Sequence, residues 1–370
     1  MHSHPQNVNN LPLASNPTKY KVEWKILSRH EKFHRFHFAI SAKKGEFIII
    51  AGGYGKNGVR LKSVVMFDIQ RYKMTSLPDL PDDFCKDHSC CKGALLKNYF
   101  YVVGNFGSMV RLNLKTKNGW EFVSDNQICI QSIDSVISYK SYLLIIGDSG
   151  RYNIFYEPES NRYINLPRII APRYGAAFVN VGDDVYAIGG FHWNKLENLS
   201  SVEIFNLCSR RWRSTCALPL PLRNASAVHV DKWIVVNGGH DIRNKKSLSN
   251  FVFNVKTKKW TQNNKMLSMS RTLHECVTFS SGEIASIGGL MGKQNKFCSF
   301  ETMHRKFIIP NWEVIGPYIL LRELVNFDRA SFKSRSNEVS DERNIFQNVM
   351  ERLMADLNLD VFRLILSFLV

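Results

Sequence analysis

The sequence has no run of about 20 apolar residues, the length that a helix needs to cross a bilayer. Residues 1–20 also lack the basic segment and apolar core of a secretory signal, and we interpret them as a flexible polar leader. These absences predict an intracellular protein, either cytoplasmic or nuclear. Because the eight cysteines do not follow the spacing of a small disulfide-bonded scaffold, we expect them to be reduced thiols.

Acidic residues are scarce relative to basic ones, since 32 Asp and Glu stand against 49 Lys and Arg, which gives a formal net charge of +17. This excess is compatible with an acidic partner. The basic residues are nevertheless spread along the chain instead of forming one block, which is typical of an ordinary basic surface. We therefore expect a protein partner that could carry an acidic segment, and we do not expect a nucleic acid.

Patterns that would mark a cofactor or metal site are incomplete. Gly53, Gly55 and Gly58 form a G-x-G-x-x-G sequence, but the residues after them read as a strand and not as the helix that a dinucleotide site requires. Three histidines within residues 30–37 fall in a loop and a strand, and the cysteines and histidine within residues 85–91 lack the two-pair spacing of a zinc site. We expect no cofactor and no metal.

Six apolar, strand-like segments each end in glycine. Their first glycines lie 42 to 52 residues apart, at Gly52, Gly104, Gly147, Gly189, Gly238 and Gly288. Four segments have a second glycine at once, which gives the pairs Gly52–Gly53, Gly189–Gly190, Gly238–Gly239 and Gly288–Gly289. The copies at positions 104 and 147 keep only one. A self-similar unit of about 40–50 residues indicates a propeller or a solenoid.

The clearest copy, residues 173–221, divides into four strand-like runs separated by turns. A four-stranded unit of this size cannot bury both of its faces alone, and packing between copies around an axis predicts a β-propeller. The glycines would end the second strand, where positive φ or close backbone approach is needed. Tryptophans of the fourth strands would fill the space between blades, namely Trp24, Trp120, Trp212 and Trp260.

A glycine pair after an apolar strand, followed by a turn and a spaced aromatic residue, resembles the kelch-repeat family. The resemblance covers roughly residues 22–315 and implies an all-β fold, a six-bladed kelch-type β-propeller. It is specific for the fold and says little about a ligand. Because one loop face of kelch relatives often binds partner peptides, the resemblance implies a non-catalytic module for protein–protein interaction.

The N-terminal part of the repeat region contains an isolated fourth strand. The same 11-residue spacing separates a tryptophan from an arginine in Trp24 and Arg35, Trp212 and Arg223, and Trp260 and Arg271. We therefore expect residues 21–27 to complete the last blade, which would remove the free sheet edges. The competing interpretation uses residues 305–315 for that strand. Either way, the propeller is predicted to span residues 21–316.

Strand order within a blade decides which loops share a face. If the strands run a-b-c-d, the long b–c loops and the d–a links lie on one face, and function concentrates in such loops. The b–c loops supply the candidates Tyr54, Lys56, Arg60, His192, Trp193, His240 and Arg243. The d–a links supply Arg35, Arg173, Arg223 and Arg271, which would form a rim suited to carboxylates or phosphates. The alternative is that these arginines are structural and donate to neighbouring carbonyls.

The pattern changes after the repeats. Residues 317–340 read as a polar linker, and residues 341–370 have the apolar spacing of a helical tail. Residues 357–369 weakly resemble the start of an F-box, although Asn358 stands where that motif usually has proline. This resemblance implies an alternative function, a substrate adaptor of a ubiquitin ligase that would contact a ligase component through residues 341–370.

A third function is a copper oxidase similar to galactose oxidase, since some propellers of this kind carry such a site. It would need tyrosine and histidine ligands that converge on the metal. The available histidines are His192, His229, His240 and His274, and two of them lie within first strands. No evident pair of nucleophile and base accompanies them. We therefore expect a protein that is not an enzyme.

Overall fold

The structure is a computed structural model, and it describes residues 25–28, 34–43, 46–55, 58–69, 71, 73–87, 90–123, 130–247, 250–263, 270–278, 284–291, 296–297 and 300–303. The chain divides into two units, Met1–Ile308 and Ile309–Val370, and all described residues belong to the first. The predicted leader, linker and helical tail, the competing strand at 305–315 and Trp24 lie outside the described residues.

The first half of the described chain begins with β1 (Lys25–Ser28) and continues through three blades. Blade 1 consists of β2 (Ala39–Lys43), β3 (Phe47–Ala51), β4 (Val64–Asp68) and β5 (Lys73–Leu77), and α1 (Asp82–Asp87) follows it. Blade 2 consists of β6 (Cys91–Leu96), β7 (Tyr99–Gly104), β8 (Met109–Asn113) and β9 (Trp120–Phe122). Blade 3 consists of β10 (Ile133–Tyr139), β11 (Tyr142–Gly147), β12 (Tyr152–Glu157) and β13 (Arg162–Leu166).

The second half contains two further blades, three strands of a sheet that also includes β1, and a separate small three-stranded sheet. Blade 4 runs through β14 (Ala177–Val181), β15 (Asp184–Ile188), the hairpin β16 (Phe191–His192) and β17 (Glu197–Asn198), β18 (Val202–Asn206) and β19 (Arg211–Thr215). Blade 5 consists of β20 (Ser226–Val230), β21 (Trp233–Asn237), β22 (Asn250–Asn254) and β23 (Lys259–Asn263). The last strands are β24 (Arg271–Thr272), β25 (Glu275–Thr278), β26 (Ile284–Ile287), β27 (Leu290–Met291), β28 (Lys296–Phe297) and β29 (Phe300–Met303).

Five blades are self-contained, because each is a four-stranded antiparallel sheet whose strands follow one another in the chain. A further four-stranded sheet is composite and has the order β1-β29-β26-β25. In it, Lys25 pairs with Thr302 across nearly the whole described chain. The prediction of six blades is therefore corrected, since the described residues form five self-contained blades and one composite sheet. The fold is an all-β propeller with very little helix.

The core lies between neighbouring sheets, as expected for units that cannot bury both faces alone. Six apolar clusters each combine side chains from two neighbours, so that every junction, including those on both sides of the composite sheet, is filled. The second strand of each blade is the most buried, and Ile48, Ile49 and Ile50 of β3 have no exposed surface. Burial on both faces explains why these strands read as continuous apolar runs.

Tryptophans of three fourth strands connect neighbouring blades. The indole Nε1 of Trp120 donates to Pro78 O at 2.9 Å, that of Trp212 to Pro167 O at 3.0 Å, and that of Trp260 to Cys216 O at 2.9 Å. Each ring therefore covers apolar surface while its polar edge bonds to the last segment of the preceding blade. Within the described part of the chain, no helix has the length and apolar character that crossing a membrane requires.

Candidate partner-binding face

Antiparallel order places the loops of each blade on two opposite faces. The b–c loops and the d–a links share one face, which we call the loop face. The short a–b and c–d turns share the other, which we call the turn face. Function is expected on the loop face because its segments are long and varied.

The length of the b–c loop follows the number of glycines. The blades with a glycine pair have long loops, residues 52–63 in blade 1, 189–201 in blade 4 and 238–249 in blade 5. Blades 2 and 3, which keep one glycine, have the short connections 105–108 and 148–151. On the loop face, the long loops of blades 1, 4 and 5 therefore project further from the sheets than the short turns of blades 2 and 3 do.

The glycine pair lets the long loop fold back over the d–a link. Gly238 and Gly239 have φ of 64° and 90°, and a Cβ on Gly239 would lie 2.7 Å from Arg223 O. Beyond the pair, the loop pairs with the link, since bridges join Arg223 to His240 and Tyr174 to Phe191. The pair thus supplies the positive φ and the close approach on which the long loops depend.

Three of the four predicted rim arginines are buried. Arg35, Arg173 and Arg271 are 1%, 0% and 0% exposed. Their guanidinium groups donate to the carbonyl of the first glycine of the pair, namely Gly52 at 3.0 Å, Gly189 at 2.9 Å and Gly288 at 3.4 Å. Because these three side chains are buried, the prediction that they bind a partner is corrected. They fit the alternative interpretation, in which the arginines are structural and donate to neighbouring carbonyls.

Burial lowers the pKa of two of these arginines, Arg35 and Arg173. Desolvation lowers the pKa of Arg35 to about 10, and desolvation also lowers the pKa of Arg173 although the Glu203 carboxylate opposes it. Arg173 forms a buried ion pair with Glu203, which also accepts hydrogen bonds from the amides of Ile170 and Ala171 at 2.8 and 3.0 Å. The arginine and the glutamate therefore hold the base of the blade 4 loop and the preceding link together.

Arg223 differs from the other three arginines. Its side chain is half-buried, donates to Asn244 Oδ1 at 2.7 Å and lies 5.0 Å from the centre of the Phe191 ring in blade 4. It therefore stays accessible on the loop face, next to the blade 4 loop. Among the predicted arginine rim, Arg223 is the member that the structure keeps as a binding candidate.

The predicted b–c residues lie on the loop face at separate positions. Tyr54 stacks on Phe36, Arg60 is exposed and donates to Cys85 O at 3.4 Å, and Lys56 lies outside the described residues. In blade 5, Arg243 is exposed and His240 contacts Thr272 Oγ1 at 3.1 Å. Burial lowers the pKa of His240, with the Arg223 charge as a second cause.

His192 and Trp193 of blade 4 are the predicted residues that line a cleft. The cleft has a volume of about 660 Å³ and lies between the tall loop of blade 4 and the short turn of blade 3. Trp193 is 60% exposed and packs edge-on against Phe191 and obliquely against Tyr174. The low turn of blade 3 beside the high loop of blade 4 is what creates the concavity.

The other wall of the cleft was missed by sequence reasoning. It includes Arg151, Tyr152, Arg168 and Tyr174, together with Asp148. The Asp148 carboxylate accepts hydrogen bonds from the amides of Gln131 and Ser132, so its role is to hold this segment of the protein in place. Neither Arg151 nor Arg168 has an ion pair with another described residue. The missing second glycine of blade 3 was the signal, because it marks the short turn that opens this site.

Exposed large apolar side chains add to the loop face. Among the described residues they are Val59, Phe106, Phe122, Tyr152, Ile170, Trp193, Leu196, Leu220 and Ile242. Each lies in a b–c loop, in a d–a link, or at the strand end that leads into one. Two of them, Tyr152 and Trp193, line the cleft. Exposed apolar side chains that lie together are more typical of an interaction surface than scattered ones are.

Within the part of the chain that the structure describes, the candidate metal ligands do not converge. The structure brings no three His, Cys, Asp or Glu of the described residues together in a metal-binding arrangement. His192 Nδ1 accepts from Lys195 N, His229 Nε2 lies 2.6 Å from Asp231 O, and His274 is fully enclosed with its pKa lowered by burial. In the 85–91 segment, burial raises the pKa of the Cys91 thiol to about 12, and His88 lies outside the described residues.

The architecture alone defines the class of protein, a β-propeller with one elaborated face. Comparison with known proteins refines it, since the Kelch motif model matches residues 172–215, which is blade 4 with its preceding link. This match confirms the predicted resemblance to the kelch-repeat family.

Relatives agree with this assignment over parts of the chain. Kelch repeat protein C2 of vaccinia virus is 30% identical over 40% of this chain and 31% of its own length. Kelch-like protein 41a of Danio rerio is 26% identical over 52% of this chain and 33% of its own. An F-box/kelch-repeat protein of Arabidopsis thaliana is 23% identical over 65% of this chain and 68% of its own. The chain thus spans about a third of the length of the first two.

Proposed function

We propose that the protein is a non-catalytic protein-interaction module that binds its partner through the loop face. The observation that carries the proposal is the cleft between blades 3 and 4 with the exposed Trp193 beside it. Tryptophan, tyrosine and arginine are the residue types that supply most of the binding energy at protein interfaces, and Trp193, Tyr152, Arg151 and Arg168 line this cleft. The relatives with kelch repeats support the same class of function.

The cleft favours a partner segment with an apolar side chain next to a carboxylate. The aromatic wall would cover the apolar side chain, and Arg151 and Arg168 would pair with the carboxylate through their forked donors. Arg223, Arg243 and Arg60 extend this positive charge along the loop face. The excess of basic residues in the sequence agrees with a partner that carries an acidic segment.

The proposal is tested by affinity capture with the full chain and two double variants. Trp193→Ala with Arg151→Ala should remove the captured partner, because truncating a central aromatic side chain and a paired arginine typically weakens binding by about 2 kcal/mol or more. The control, Lys117→Ala with Lys140→Ala, changes exposed residues of the turn face and should retain the partner. Retention by both double variants would contradict binding at the cleft.

A second candidate function is an adaptor of a ubiquitin ligase. It is supported by the name of the Arabidopsis thaliana relative, F-box/kelch-repeat protein, and by the F-box-like residues 357–369. Capture with the full chain and with a chain cut after residue 335 separates the two functions. An adaptor should lose ligase components in the shorter chain while its loop-face partner stays bound. If both chains capture the same proteins, the adaptor function is wrong.

A further inference from the structure

The turn face carries an excess of basic residues that the loop-face function does not use. In the c–d turns these are Lys115 and Lys117 of blade 2, Arg210 and Arg211 of blade 4, and Lys256, Lys258 and Lys259 of blade 5. The a–b turns add Lys140 of blade 3 and Lys232 of blade 5. All of them except Lys258 are exposed, and Lys258 is half-buried.

Most acidic residues of the turn face are already paired. The ion pairs are Lys43–Glu46, Arg71–Asp68, Lys97–Glu159, Arg162–Glu157 and Arg213–Asp184. Asp183 accepts the hydroxyl of Tyr139. The nine basic residues of these turns have no ion pair with a described residue, so no carboxylate of the described residues neutralises their charge.

The densest part of this charge joins blades 4 and 5. Lys258 of the blade 5 turn donates to the Tyr186 hydroxyl of blade 4 at 3.2 Å, which holds the two turns side by side. The turns of the same two blades carry Arg210, Arg211, Lys232, Lys256 and Lys259, and the two turns of blade 5 are joined by the hydrogen bond from Val255 N to Lys232 O at 2.9 Å. We call these six basic residues the basic patch.

We propose that the basic patch holds the turn face against the anionic surface of a lipid bilayer. Repeated blades bring their short turns to one level, so that lysines on several blades can reach a flat array of phosphates together. A duplex nucleic acid is a cylinder and would contact only a stripe of such a face. Single-stranded nucleic acids stack their bases on aromatic side chains, and the exposed aromatic residues that the structure describes lie on the opposite face.

The same distribution argues against a protein partner at the basic patch. Protein interfaces depend on buried aromatic and apolar anchors at their centre, and within the described residues the exposed apolar anchors belong to the loop face. Attachment through the turn face would leave the loop face directed away from the bilayer. Partner binding and membrane attachment could therefore occur at once.

The test is co-sedimentation of the full chain with vesicles of phosphatidylcholine, with and without phosphatidylserine. Each Lys or Arg close to an anionic membrane strengthens binding about fivefold. The triple variant Lys232→Gln, Lys256→Gln, Lys259→Gln should therefore bind phosphatidylserine vesicles about 100-fold more weakly at low salt. The control Arg168→Gln, Arg243→Gln, Lys245→Gln has the same net charge but removes it from the loop face, and it should bind nearly as the unaltered protein does.

Three results would overturn the proposal. The first is no binding of the unaltered protein to phosphatidylserine vesicles. The second is an equal loss in both triple variants, which would mean that net charge alone attracts the protein. The third is tighter binding to duplex DNA or RNA than to the vesicles at the same salt concentration, with the basic patch variant losing it. The changed side chains are exposed, so both variants are expected to fold.

Discussion

Blades 4 and 3 are neighbours in the ring, and they connect their second and third strands in different ways. Blade 4 has the glycine pair, a loop at 189–201 and the buried Arg173 that holds its base. Blade 3 has Gly147 alone, a turn at 148–151, and short polar side chains in place of the arginine. Asn153 donates to Gly150 O and to Pro167 O, and Asp148 accepts two amides of the preceding link.

The difference teaches that a degenerate repeat can create a cleft between two blades. A ring of equal blades would have a loop face of uniform height, without the concavity between blades 3 and 4. The loss of one glycine lowers blade 3, and the exposed Trp193 of blade 4 then borders open space. The long loop of blade 4 and the short turn of blade 3 thus form the two walls of the cleft.

The largest expected effect comes from removing Arg173, the buried arginine that supports the loop of blade 4 and has no counterpart in blade 3. Arg173→Ala should lower the free energy of unfolding by about 3–5 kcal/mol, because it leaves Glu203 as a buried charge without its partner. The control Arg223→Ala removes a half-buried arginine and should cost about 1 kcal/mol or less. Urea denaturation measures both. Equal costs would show that the two arginines have the same role.

The next effect tests the glycine pair itself. Gly239→Ala should cost about 3 kcal/mol, since the left-handed backbone strains alanine and the new Cβ would lie 2.7 Å from Arg223 O. Gly58 also has a positive φ, of 72°, but no heavy atom lies within 4 Å of a Cβ added there, so Gly58→Ala should cost about 1 kcal/mol. Thermal or urea unfolding measures both losses of stability. A smaller loss of stability for Gly239→Ala than for Gly58→Ala would show that the long loop does not depend on the glycine pair.

The smallest effect concerns the short turn of blade 3. Asp134 accepts from Gly150 N at 3.2 Å, and desolvation raises the pKa of its carboxyl to about 7. The folded state therefore holds this proton more tightly than the unfolded chain, so Asp134 makes the protein less stable as the pH rises from about 4 to about 7. Asp134→Asn should remove this slope in unfolding free energy. An unchanged slope would assign the pH dependence to other groups.

Periodicity was enough to predict the propeller, because Gly52, Gly189, Gly238 and Gly288 mark the end of each second strand. It also indicated the residues near β1 as a separate fourth strand, and β1 pairs with β29 in the structure. Ring closure by this strand and the domain limits at 21 and 316 remain predictions.

The candidate site was predicted only in part. His192 and Trp193 line the cleft as expected on the loop face, but sequence alone gives arginine the same appearance whether it is buried or exposed. Arg35, Arg173 and Arg271 were therefore assigned to a surface rim that burial removes. The other wall, with Arg151 and Arg168, was missed. It depends on the difference in length between the b–c loops of blades 3 and 4, and a single repeat does not reveal that difference.

The pairing of Lys25 with Thr302 has a consequence for synthesis of the protein. On the ribosome, β1 emerges first but has no partner until β29 has been translated. Blades 1 to 5 can form one after another in the meantime, since each holds its own four strands. The composite sheet must wait, so β1 has no strand partner in this sheet until translation has reached β29.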